Sequence, residues 1–214
     1  MSTLPKPTRR GPGRPATTST NDILDAAERV GLDRLTRAEV AQSLGVSAAT
    51  IRHHVESTDR LYSLACARVF GRLELSSDMD TWQDYLRLIG QRFATLVMEN
   101  PGLEDYVLRG PYEKRTLDQF EKIMSEIRSR EPEFDRPTAH LLGSRVLIIS
   151  AATHTPACRC QPGSQTPQCE RRSEVASWTL DAFLAGAELL INDSRVPSVT
   201  PTPDAWWARV SPET

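Results

Sequence analysis

The run Thr36-Arg37-Ala38-Glu39-Val40-Ala41-Gln42-Ser43-Leu44-Gly45-Val46-Ser47-Ala48-Ala49-Thr50-Ile51-Arg52-His53-His54 decides how this chain is read. Thr36 and Glu39 have capping-box spacing: the hydroxyl accepts the amide three residues on while the carboxylate reaches back. A helix is therefore predicted to start at Arg37, with Val40, Ala41 and Leu44 on its buried face. Gly45 can take the left-handed conformation that stops it. Ser47 can cap a further helix at once, with Val46 and Ile51 pointing inward. Two short helices that cross sharply at a small residue form a helix-turn-helix pattern.

The pattern extends in both directions. Upstream, Ile23, Leu24, Ala27 and Val30 recur at helical spacing, which predicts a helix over 21–31 with Thr20 as its N-cap and Gly31 as its end. Downstream, a break at Glu56-Ser57-Thr58 precedes a long helix with Leu61, Leu64, Ala65 and Val69 on its apolar face. From 81 onward the period stays helical. One helix runs from Trp82 to Asn100-Pro101-Gly102, a short one from Leu103 to Leu108, and one from Tyr112 to Arg130. Another, capped by Asp135, reaches about Thr153, and a last one spans 173–192. Residues 155–172 read as a loop, and no stretch has strand period or repeats internally. The expected fold is all-α. A basic arm (1–19) leads a helix-turn-helix domain (20–70), a larger helical effector and dimerisation domain (71–195) and a Pro-rich tail (196–214).

At 39% hydrophobic and 25% charged residues, the chain can bury a core. No apolar run approaches the ~20 residues of a membrane helix. No secretory h-region is visible at the N-terminus, so a cytoplasmic protein without a membrane partner is expected. The net charge of −2 hides an asymmetry: residues 1–72 sum to +4 and residues 73–214 to −6. A basic head on an acidic body suits a polyanion bound at one end.

The run from Leu35 to Ser47, followed by Ile51, His54 and Leu61, resembles the DNA-binding domain of TetR-family transcriptional regulators. That resemblance implies a homodimeric repressor released from double-stranded operator DNA by a small-molecule effector. It places Thr36 and Arg37 near phosphate, and Ala48, Ala49, Thr50, Arg52, His53 and His54 on the recognition helix behind Ser47. Arg52 stands where the family usually has Tyr, and Thr58 where it usually has Lys. The lost Lys removes a phosphate contact; Arg52 restores the charge or reads guanine, whose edge Arg pairs bidentately. In the arm, Gly11-Pro12-Gly13-Arg14-Pro15 has the core of an AT-hook. Arg14, with Arg10, either enters a narrow minor groove or makes weak phosphate contacts.

The expected effector site is an apolar cavity between helices, closed by a few polar groups. Its candidates are Phe93, Leu96, Tyr106 and Phe120, with Met124, His140, Ile148 and Trp178, and Arg109, Tyr112 and Arg115 as polar closure. The last two long helices carry more apolar surface than one intramolecular face needs, which points to a homodimer. No phosphate loop, His-Glu-x-x-His or Gly-x-Ser-x-Gly occurs, so an enzyme is the distant alternative. His154, Cys158, Cys160 and Cys169 lie close together in sequence. They form either an unliganded surface loop, with no cofactor required, or a zinc site or redox switch, which is the competing reading of the same regulator.

Overall fold

The computed structural model describes residues 18–153 and 167–196, and only the backbone of residues 167–170 and 172. Among the described residues all regular structure is helical: α1 (Thr20–Val30), α2 (Arg37–Leu44), α3 (Ala48–His54), α4 (Thr58–Phe70), α5 (Trp82–Glu99), α6 (Leu103–Arg109), α7 (Lys114–Arg130), α8 (Arg136–Thr153) and α9 (Pro167–Asn192). A 3-10 turn, Leu32–Arg34, links α1 to α2.

Local chemistry sets most of these boundaries. Ser19, one residue before the expected cap, starts α1, because Asp22 three residues on completes a reciprocal capping box with it. The Thr36 hydroxyl accepts the Glu39 amide at 3.1 Å and donates to the Glu39 carboxylate at 2.8 Å. That carboxylate therefore meets the hydroxyl instead of the Thr36 amide. Gly45 (φ 66°) ends α2 in a Schellman motif: Val46 N donates to Ala41 O at 3.0 Å and Gly45 N to Gln42 O at 3.1 Å. Ser57 caps α4 through the Arg60 amide at 2.9 Å, and Asp135 caps α8 through the Thr138 amide at 2.8 Å. At the C-terminal end, α9 begins at Pro167, so residues 167–172 are helix where a loop was expected. Proline suits a first helical position, since its missing N–H has no partner to lose there.

Helix α1 and the 3-10 turn pack on α4, α2 packs on α1 and α3 on α2, with Ile23, Ala26, Val40, Ile51 and Leu61 fully buried among them. The other side of α4 packs on α6 and α7, so this helix belongs to both halves of the molecule. Behind it, α8 is central, touching α5, α6, α7 and α9. Leu142, Val146 and Leu147 fill its inner face, and α9 seals the bundle with Leu180 and Leu184. Among the described residues no helix is long and apolar enough to cross a membrane.

Candidate nucleic-acid interface and effector cavity

The apolar side of α3 is consumed by Ile51, and Val55 follows it into the core. Its remaining side chains are thereby turned outward. Ser47, Ala48, Ala49, Arg52, His53 and His54 are exposed, and Thr50 is half-buried. Ser47 holds the helix start, accepting the Thr50 amide at 3.2 Å, and the two hydroxyls lie 3.0 Å apart. The His53 and His54 rings meet edge-on with centroids 5.5 Å apart. The outward face is thus small at its first turn and basic at its last. Small residues let the helix backbone approach a surface, and a cationic end suits phosphate or guanine.

The supports of that face are polar. Arg37 is half-buried and donates through Nη1 to Glu56 O at 2.7 Å, fastening the start of α2 to the segment after α3. Thr36 stays exposed, and half-buried Thr58 opens α4. On the opposite flank Arg68 pairs with Asp25 and Glu28, and Arg72 pairs with Glu28, tying α4 back to α1. Those arginines are committed within the fold. Among the described residues, Arg52 has no ion-pair partner. Arg10 and Arg14 lie outside the described residues.

Where α4, α6, α7 and α8 converge there is a cavity of about 50 Å³. Phe70, Val107, Leu117, Phe120, Leu147 and Ile148 give it apolar walls. Tyr112, Thr116, His140 and Ser144 add polar atoms. Burial, together with the positive charges of Arg136 and Arg145, holds the His140 imidazole below its ordinary range, and so neutral at pH 7. Its ring stands edge-on to Phe120 at 5.3 Å.

Of the eight residues expected to line such a site, Phe120, His140 and Ile148 do so. Phe93, Tyr106 and Met124 are fully buried core, and Leu96 is half-buried beside it. Trp178 is 71% exposed on the outer face of α9, far from a pocket's requirement. Of the polar closures, Tyr112 lines the cavity, whereas Arg109 is exposed and paired with Asp105 at 3.0 Å and Arg115 is exposed. Phe70, Val107, Thr116, Leu117, Ser144 and Leu147 line the cavity without having been expected there. Each is an ordinary apolar or capping-type residue in the sequence, and only the crossing of separate helices brings them together.

The cavity wall runs directly into the contact between the two halves. Tyr112 and Thr116 flank Glu113, whose carboxylate pairs with Arg60 in the first turn of α4. The Tyr106 hydroxyl, buried and pushed up to about 12 by desolvation, accepts the Glu113 amide at 2.9 Å and lies 2.7 Å from Thr116 Oγ1. A second joint lies one helix away, where the Tyr62 hydroxyl donates to Gly102 O. Charge reversal at Glu113→Lys is expected to cost about 1–2 kcal/mol, the range for a half-exposed pair whose partner is left unmatched. Adding Arg60→Glu should recover most of that loss, and a double-mutant cycle by denaturant unfolding measures it.

His154, Cys158 and Cys160 lie outside the described residues, and Cys169 falls in α9 with its side chain undescribed. Among the described residues no group of His, Cys, Asp and Glu is placed to hold a metal ion. Cys66 is buried in α4 beside Tyr62, its thiol pushed up to about 12 by desolvation, which suits a small core side chain.

No family model and no curated protein matches the sequence. The fold, by contrast, has solved counterparts. A TetR variant from Acinetobacter baumannii AYE in complex with minocycline superposes with a TM-score of 0.67 at 15% identity, covering 81% of this chain and 98% of that one. ActR from Streptomyces coelicolor, a TetR-family protein, in complex with actinorhodin gives a TM-score of 0.59 at 20% identity, with 83% and 95% covered. Apo ActR gives 0.59 at 18% identity, with 81% and 98% covered. The chain therefore has the TetR-family fold: an N-terminal helix-turn-helix followed by a larger helical bundle.

Proposed function

We propose that this chain is a DNA-binding transcription regulator that acts in the cytoplasm as a homodimer, repressing its target until a small molecule occupies the cavity between α4 and α8. The observation that carries the reading is α3 itself. It is a helix capped by Ser47 whose buried side is filled by Ile51 and whose outward side offers two alanines, an arginine and two histidines. A helix that served only the core would gain nothing from that face. The solved counterparts carry minocycline and actinorhodin in their complexes, which supports a ligand-responsive role for the larger bundle here. Coupling has a physical route, because two wall residues of the cavity bracket the carboxylate that grips α4.

The test is footprinting of the wild-type protein on its own genome, starting with the flanking promoters. A protected, near-palindromic site is expected. Arg52→Ala should then lose about 1–3 kcal/mol of preference for that site over random DNA, the value of one good base contact. Gel-shift titration against both sequences reads this directly. Equal losses on specific and random DNA would assign Arg52 to phosphate, and absence of any protected site would defeat the reading.

A further inference from the structure

Among the described residues, the walls of the 50 Å³ cavity hold no Asp, Glu, Lys or Arg. Their polar atoms are already engaged. The Tyr112 hydroxyl donates to Val107 O at 2.6 Å, Thr116 lies 2.7 Å from the Tyr106 hydroxyl, and Ser144 donates to Leu141 O at 3.1 Å. Four rings face the space: Phe70, Tyr112, Phe120 and His140. We propose that this cavity takes an uncharged, ring-bearing apolar molecule about the size of a substituted benzene, and rejects carboxylates and ammonium ions of the same shape.

Removing an ion from water without a counter-ion is strongly unfavourable, so the bare walls select against either sign. Aromatic faces alone attract a cation. Here, however, Arg136 and Arg145 act on His140 more strongly than Glu121 does, and this net positive bias opposes one. Nor is Arg136 a spare counter-ion for an anion, since it pairs with Glu121 at 2.9 Å. Buried His140 is neutral at pH 7 and adds no charge. The cavity is smaller than the ~150 Å³ that holds benzene dry, so a single-ring occupant already requires it to widen, and half-buried Leu117, Ser144 and Ile148 form its less enclosed side. The ligand class deepens the regulator reading, and rests on it only for the consequence at the operator.

The experiment uses the full chain and three matched probes: para-ethylphenol, para-ethylbenzoate and para-ethylbenzylammonium, by calorimetry and thermal unfolding near pH 7. The phenol is expected to bind and raise the melting temperature, with both ions weaker by at least about tenfold. Ser144→Arg, which sets a cation at the less enclosed side, should raise benzoate affinity by at least about tenfold. If that variant does not fold, Leu117→Lys makes the same test. Equal binding of either ion to the wild type, or no binding of the phenol at millimolar concentration, overturns the proposal. Footprinting on the same preparation keeps the readings separate: phenol-selective binding supports the ligand class even where no DNA site is found.

Discussion

Trp178→Asp is expected to turn the proposed dimer into a monomer at micromolar concentration and to weaken its proposed operator binding by at least about a hundredfold, the gain that linked binding sites supply. The argument begins with helix geometry. Residues on a helix are about 100° apart, so Val175, Trp178, Ala182, Ala185 and Leu189 share one stripe of α9. Ala176, Leu180, Leu184 and Ile191 share the opposite one. The second stripe packs on the bundle. The first faces outward, with Val175 60%, Trp178 71% and Leu189 67% exposed and two alanines between them. A stripe of large apolar side chains spaced by small ones is a surface that another helix can approach closely. Two-fold pairing buries each copy twice, and a large apolar side chain contributes about 1.5–3 kcal/mol per burial. Sedimentation and gel shifts on one preparation are the check, with Trp178→Phe as the variant that should keep both properties. A Trp178→Asp protein that remains dimeric and binds its operator as the wild type does would remove α9 from the interface.

That prediction also marks where sequence reasoning stops. The helix-turn-helix was legible because its determinants are local: Thr36, Gly45 and Ser47 each act on backbone groups within five residues. The start of α1 is legible too: Asp22 lies three residues after Ser19, the spacing that makes Ser19 and not Thr20 the cap. The start of α9 was signalled by Pro167 and obscured by the polar, Gln- and Ser-rich run before it. Burial is different, because both faces of α9 are apolar and nothing local says which one meets the core. Trp178 is accordingly expected both at a cavity wall and within the surplus apolar surface of the last helix, and the fold turns it outward. The cavity draws Phe70, Val107, Tyr112 and Leu147 from four parts of the chain, and Arg60 and Glu113 are 53 residues apart. Such groupings arise from helix crossings, which no periodicity encodes.

Gly102→Val is expected to destabilise the fold by about 2–4 kcal/mol, adding the cost of a left-handed side chain to that of overpacking. Gly102 forms the corner between α5 and α6 with φ 103°, a conformation that β-branched residues strongly disfavour. A Cβ there would lie 2.9 Å from the Asp33 amide nitrogen and 3.0 Å from the Leu32 carbonyl carbon. Both are backbone atoms of the 3-10 turn that leads into α2, so no side chain can swing aside to make room. The corner is held on its other side as well, where Gly102 N donates to the buried Glu104 carboxylate at 2.8 Å and Gly102 O accepts from Tyr62. The added atoms must therefore push the larger bundle away from the helix-turn-helix, or pull the turn out of its place under α2. Either movement shifts α2 and α3 relative to α4. DNA affinity should fall by more than the change in folded fraction explains, which separates this effect from simple unfolding. Denaturant midpoints give the stability, and gel shifts at a temperature where the variant is fully folded give the affinity. A variant with an unchanged midpoint and unchanged affinity would show that the corner yields freely, and that Gly102 plays no part in joining the two halves.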